Sequence, residues 1–344
     1  MEVECSDSQV GWDCVARGTD RYKRKELAVD TVNVVVTCTK DKRYPVEPDC
    51  ALRSLPAMTL RERAVEWRRR LSSRTRKRVP VDRLYAGDHW ATVRSFESSR
   101  FKIDVWVCSA GYGLIRMCDS ITPYSATFSS KHPDSVCRNI LGTTNGDAPH
   151  QWWRQLTAWQ GHTRGNPRSL RELAAAYPRR AMLVVASETY LKAVASDLLD
   201  AVGELSDSDL LSIVSAGSKR LPGLDDHLIP CDARLQPLVQ GARRSLNTRV
   251  AGKILSEARV APRKSTVARK FRKLLAEQPE IQKYDRSPMS DDEVREFIVV
   301  QLRRNANLCH TPLLRELRKS GRACEQSRFS GLYREVKEQL NGRT

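Results

Sequence analysis

Val32-Asn33-Val34-Val35-Val36-Thr37-Cys38-Thr39-Lys40 starts as a run of β-branched residues and ends in small and polar ones. A strand with one wet face alternates apolar and polar residues. A run apolar at almost every position belongs instead to a strand covered on both faces, as in a parallel sheet. This stretch is therefore expected to be a buried strand that delivers residues 37–42 to the carboxyl edge of a sheet. Three more runs of the same kind follow at residues 103–108 (IDVWVC), 181–186 (AMLVVA) and 211–214 (LSIV), each closed by small or polar residues. Helical periodicity fills the intervals, most plainly from Tyr190 to Val202. The alternation predicts an α/β fold: an open, mostly parallel sheet with helices on both faces. Ligands of such sheets bind beyond the carboxyl ends of the strands, so 37–42, 109–113 and 215–219 are expected neighbours in space.

The 344 residues allow two domains, and 40% apolar content allows a real core. A formal charge of +18 favours a polyanionic partner, with nucleic acid first and a merely solubilising surface as the plain alternative. No basic stretch is paired with an apolar insertion face, so no membrane partner is expected. The ten cysteines form no C-x-x-C, and Cys309-His310 has no second pair at zinc-finger distance. Neither metal nor disulfides are expected, and a cytoplasmic setting follows. Residues 1–30 are polar and lack a signal-peptide pattern, so they are taken as a leader.

Residues 60–78 (LRERAVEWRRRLSSRTRKR) are a basic helix and loop, suited either to phosphate or to a solvated face with Trp67 turned inward. Residues 150–167 interleave Trp152, Trp153 and Trp159 with Arg154, His162 and Arg164. That pattern suits base stacking, and equally a helix docked on the sheet. After residue 250 the strands stop. The expected division is a leader over 1–30, an α/β domain over 31–250 and a basic helical nucleic-acid-binding module over 251–344. Within that module Arg263 and Lys264 open a basic amphipathic helix, and Ser290 caps an acidic first turn. A short helix ending at Lys319, a break at Ser320-Gly321 and a second helical stretch from Ala323 to Leu340 together make a helix-turn-helix-like pattern. Such a pattern would present Arg322, Gln326 and Arg328 to duplex DNA.

Three blocks in order carry a family resemblance: Cys38-Thr39-Lys40-Asp41-Lys42 after a strand, Leu84-Tyr85 followed by Trp90, and Ser109-Ala110-Gly111-Tyr112-Gly113-Leu114 with Asp119 and Pro123-Tyr124 beyond it. They resemble a bacterial α/β domain family similar to uracil-DNA glycosylase, related to a domain of archaeosine synthase, whose signature is C-S-x-x-K, then S-A-x-x-G-L, then P-Y. The likeness covers residues 31–128, with Thr39 where serine is usual and Tyr112 where histidine is frequent. Joined to a DNA-reading module, the chain resembles the glycosylases that bacteria use against phages carrying hypermodified bases.

The resemblance implies a DNA glycosylase, with no cofactor and no metal. It would hydrolyse the N-glycosidic bond of a modified base, such as a glucosylated hydroxymethyl-pyrimidine, in phage duplex DNA. A non-catalytic DNA-binding regulator and a tRNA-modifying relative are the alternatives. The reaction needs an everted nucleotide, a carboxylate that positions water and steadies an oxocarbenium-like sugar, and a donor to the departing base. The candidate acids are Asp119, the acid at the position shared with the family, Asp41, on the loop where uracil-DNA glycosylases carry theirs, and Asp88. Each could instead cap a helix or pair with a cation. Donors are sought among Lys40, Lys42, His89 and Asn247, and pocket walls among Tyr85, Trp90, Tyr112 and Tyr124. Cys38 and Ser109 stand at the strand ends, and Gly111 and Gly113 would admit a phosphate or sugar to their backbone amides. Ser109 lacks the G-x-S-x-G elbow of an acyl-transfer nucleophile.

Overall fold

Val32, Val34 and Val36 face one side of their strand and Asn33 and Val35 the other, and all five are almost wholly excluded from solvent. Both faces of the sheet are therefore covered at this strand, as its composition requires. The computed structural model describes residues 30–160, 165–217, 220–280 and 285–341. The proposed leader up to residue 29, together with His162, Arg164 and Lys219, lies outside the described residues.

The sheet contains β1 (Thr31–Thr37), β2 (Lys102–Ser109), β3 (Gly113–Arg116), β4 (Met182–Val185), β5 (Leu211–Val214) and β6 (Leu228–Ile229), in the order β6-β5-β4-β1-β2-β3. All neighbours are parallel except β2 and β3. The four apolar runs are β1, β2, β4 and β5; the antiparallel β3 was not anticipated. From β1 the chain moves to one side through β2 and β3, then crosses to build β4, β5 and β6 on the other. The order thus reverses beside β1, where the carboxyl ends of β1, β2 and β4 lie side by side, the edge at which such sheets hold their ligands.

Helix α1 (Leu60–Leu71) opens with a reciprocal Thr59/Glu62 capping box. It is followed by α2 (Gly87–Arg94), α3 (Ala148–Thr157), α4 (Leu170–Ala176), α5 (Glu188–Glu204), α6 (Leu246–Glu257) and α7 (Lys264–Ala276). The chain divides into two compact units between Pro279 and Glu280. This is later than the division at 250/251 suggested by the loss of strands. The reason is that Ile254 and Leu255 of α6, and Val267, Phe271 and Leu275 of α7, complete the core of the α/β unit.

The second unit has its own core. It is built from α8 (Asp291–Arg304), α9 (His310–Lys319) and α10 (Gln326–Asn341), around Val294, Ile298, Leu313, Leu317, Phe329 and Val336. Ser290 and Glu293 form a second capping box. Gly321 turns the chain between α9 and α10 at φ 78°, in the left-handed region that favours glycine.

Among the described residues no helix is long and apolar enough to cross a membrane. Cys38, Cys50, Cys108, Cys137, Cys231, Cys309 and Cys324 are free thiols. Cys118 is disulfide-bonded, which corrects the expectation of free thiols throughout, because spacing along the chain does not report which cysteines the fold brings together.

Candidate functional site

The strand order places the ends of β1 and β2 side by side, and the Cys38 amide donates to the Cys108 carbonyl at 3.1 Å. Beyond β1 the chain folds back so that Lys42 bridges to Tyr85. Its ammonium donates to the Thr39 carbonyl at 3.1 Å and stands 4.7 Å from the ring centre of Tyr124 and 5.7 Å from that of Tyr85. An ammonium over two aromatic faces is held electrostatically as well as by packing. Burial pushes the Lys42 pKa down, while Cys38, Asp134 and Asp41 oppose the shift.

Below the lysine runs a chain of hydroxyls. Tyr85 Oη and Tyr124 Oη are 2.8 Å apart, and Tyr124 Oη and Ser109 Oγ 2.6 Å. Ser109 Oγ also accepts the amides of Gly111 and Tyr112 at 3.2 and 3.1 Å. Trp90 stacks on Tyr85 at 4.7 Å. The Cys38 thiol meets the Tyr190 hydroxyl at 3.1 Å. Burial raises the Tyr85, Tyr124 and Tyr190 phenols, with Cys38 adding to each shift, so they stay protonated donors. Cys38, Lys42, Tyr85, Ser109 and Tyr124 thus share one edge of the sheet. Lys40 is exposed on the same loop, and His89 Nε2 lies 3.2 Å from the Thr37 carbonyl.

The two glycines act otherwise than expected. A Cβ on Gly111 would fall 2.4 Å from the Tyr124 ring, and one on Gly113 would fall 3.3 Å from the Leu156 backbone. Both make room for protein. Nor are the Gly111 and Tyr112 amides open to a phosphate, since Ser109 Oγ takes them. The loop is fixed from behind by indoles: Trp67 donates to the Gly111 carbonyl at 2.9 Å and Trp152 to the Ala110 carbonyl at 2.8 Å. Trp153 donates to Asp197, and Trp159 stacks on Tyr112. Packing is what these tryptophans do. The basic helix follows suit: Trp67 is inward, Arg69 and Arg70 pair with Glu66, and Arg76 pairs with Glu47 and Asp49.

The three acids part company. Asp41 stays at the site: its carbonyl accepts the Ala86 amide at 2.9 Å. Its exposed carboxylate lies beside Gly87, the first residue of α2, where negative charge meets the positive end of a helix. Asp88 is locked between Ser245 and Arg249, whose guanidinium is 2.7 Å away, and these partners hold its carboxyl below the usual range. It ties α2 to α6. Asp119 is not with the others, which corrects its assignment to the strand-end cleft. β3 pairs Gly113 with Ser109 and Arg116 with Trp106, so it runs back toward the amino edge. That carries Asp119 roughly 10 Å along the sheet from Ser109, at about 3.3 Å per residue. There its carboxylate accepts the Arg116 amide at 2.8 Å, and burial raises its pKa.

Asn247 spans two strand ends: Oδ1 accepts the Ala216 amide at 2.7 Å, and Nδ2 donates to the Ala186 carbonyl at 3.0 Å. It is a strut between the loops after β4 and β5, not a donor held out for a base. Ser215 follows β5, two strands from β1 and about 10 Å away at ordinary strand spacing, so the third loop adjoins β4 instead. Sequence reading missed Tyr190, in the first turn of α5, and Asp134. The fully buried Asp134 carboxylate takes the Arg53 amide and guanidinium and the Ser125 hydroxyl. The only cue to Tyr190 was its place just after β4; Asp134 and Arg53 are too far apart in sequence to give one.

Of the residues assigned to DNA, Arg263 pairs with Asp207 at 2.5 Å, while Lys264 is half-buried as the first residue of α7. In the second unit Arg328 pairs with Asp291 at 2.5 Å and donates to the Met289 carbonyl. Arg322 is exposed near Glu293, and Gln326 is the exposed first residue of α10. Among the described residues no group of histidine, cysteine, aspartate or glutamate could hold a metal ion. No family model matches the chain, and no curated protein or solved structure matches it either.

Proposed function

We propose that the chain is a DNA glycosylase, which breaks the N-glycosidic bond of a modified base in phage duplex DNA and leaves an abasic site as antiviral defence. The observation that carries this reading is Lys42 held over Tyr85 and Tyr124 beside Asp41, at the carboxyl edge where the strand order reverses. The motif blocks that resemble the uracil-DNA-glycosylase-like family supply these residues, and the charge of +18 suits a polyanion.

In this reaction the nucleotide leaves the stack before its C1′ is reachable. The C1′–N bond then lengthens toward an oxocarbenium-like sugar, which the Asp41 carboxylate steadies. Lys42 donates to the base as electron density builds on it, and its lowered pKa eases that transfer. Asp41 takes a proton from the attacking water, whose oxygen bonds to C1′; the base leaves with the bonding pair and a proton.

Purified protein incubated with modified and unmodified duplexes, followed by hot alkali, tests the reading. Free base and alkali-labile breaks are expected from the modified duplex alone. A full panel of modified phage genomes yielding neither overturns it. One observation favours a non-catalytic DNA-binding role: the Tyr85, Tyr124 and Ser109 hydroxyls already satisfy one another. On that reading salt-sensitive binding appears with no product.

A further inference from the structure

The second unit carries a cavity of about 620 Å³. Among the described residues its lining includes Arg286, His310, Arg315, Arg318, Lys319 and Gln326, with four cations and no carboxylate. Asp291, Asp292 and Glu293 form the first turn of α8, and Glu325 is turned to Ser327 and the Arg328 amide. Arg318 is near enough to Glu325 to help lower its pKa, but no carboxylate is among the described residues that line the cavity itself.

Their placement follows from α9. Leu313, Leu314 and Leu317 anchor this helix in the core. Thr311, Arg315, Arg318 and Lys319 then fall within i+3 and i+4 steps of one another along the groove side. Arg318 donates to the Cys324 carbonyl at 3.1 Å, and Arg286 to the Arg318 carbonyl at 3.0 Å. These two guanidiniums are thus positioned by backbone bonds, while Arg315 and Lys319 are exposed. Cations near the end of α9 also complement its dipole. That accounts for Arg318 and Lys319, but not for Arg315 at mid-helix, nor for Arg286 from another segment meeting them around one cavity.

We propose that this groove, which Gln326 at the start of α10 also lines, grips the phosphodiester backbone of duplex DNA through the α9 cations rather than through Arg322 and Arg328. Arg328, the residue best placed by a helix-turn-helix reading, is committed to Asp291. The groove offers instead a pair of fixed guanidiniums flanked by Arg315 and Lys319. Contacts of this kind position a duplex without reading its sequence. The assignment rests on the DNA reading above and adds where the second unit holds the substrate.

The test is binding of a short labelled duplex by the full chain, followed across a salt series, for the parent, Arg315→Glu/Lys319→Glu, the milder Arg315→Gln/Lys319→Gln, and Arg322→Glu. Circular dichroism of each variant checks the fold, and the glutamine pair keeps the test valid if charge reversal unfolds the unit. The paired substitutions are expected to weaken binding about tenfold or more at moderate salt and to lower the slope of log K against log salt by about 2, one per lost phosphate contact. Arg322→Glu is expected to change the slope by less. A parent that binds with a steep slope, and groove variants that match it, overturn the groove while the DNA reading survives. A parent that does not bind duplex DNA at all overturns both.

Discussion

The Tyr124 ring occupies the place that a side chain on residue 111 would need: a Cβ built on Gly111 comes within 2.4 Å of two ring carbons. The same ring supports Lys42, and its hydroxyl joins Tyr85 to Ser109. Gly111→Ala is therefore expected to push Tyr124 off its partners, at the roughly 1–3 kcal/mol typical of overpacking a tight core. Chemical denaturation reads that cost, and base release from a modified duplex is expected to fall with it. A variant as stable and as active as the parent would show that the ring can move freely.

Swapping carboxylates separates the acids. Asp41→Asn is expected to lower single-turnover base release by about 10²-fold or more, the usual scale for losing a general base, with little change in duplex affinity. Asp119→Asn lies roughly 10 Å along the sheet at strand rise and is expected to leave release near the parental rate. The reverse pattern would mean that the catalytic groups lie at the other edge of the sheet.

This contrast also shows what was legible in the sequence. β1, β2, β4 and β5 could be read because burial on both faces demands unbroken apolar runs. β3 could not: it is four residues long and begins at a glycine that looked like loop. Its reversal, invisible in the residue pattern, is what removes Asp119 from Cys38 and Ser109. Lys42 and Tyr85 were legible because each lies close to a strand end or a motif. The commitments of Asp88 to Arg249 and of Arg328 to Asp291 were not, since a counter-ion brought in by the fold leaves no local mark. The tryptophans after residue 150 were readable two ways, and the indole hydrogen bonds to Ala110 and Asp197 decide for packing.

Acid sensitivity is expected from His89. Its ring is kept near the Thr37 carbonyl, and burial lowers its pKa from 6.5. The unfolded chain therefore binds a proton at a higher pH than the native one does, and stability falls as pH drops from about 6.5 through the lowered native value. His227 shifts in the same direction, also through burial. Denaturation midpoints at pH 7.5 and below 6 are expected to differ less for His89→Gln than for the parent. Equal losses would assign the acid sensitivity to other groups.

Asn247 gives the last test, because it joins the carboxyl ends of β4 and β5 without belonging to either. With Oδ1 on the Ala216 amide and Nδ2 on the Ala186 carbonyl, its amide replaces ladder bonds that the two strands cannot make past their ends. Asn247→Ala leaves two polar backbone groups without these bonds. The expected cost is about 1–3 kcal/mol, the range for an unsatisfied buried group. Amide hydrogen exchange localises the effect: Ala216 is expected to lose protection, while Val35 and Val107, in the paired interiors of β1 and β2, keep theirs. If β1 and β2 loosen together with Ala216, the strut steadies the whole carboxyl edge of the sheet, and base release is expected to fall as well. If only Ala216 responds, the loop after β5 is an independent appendage of the site.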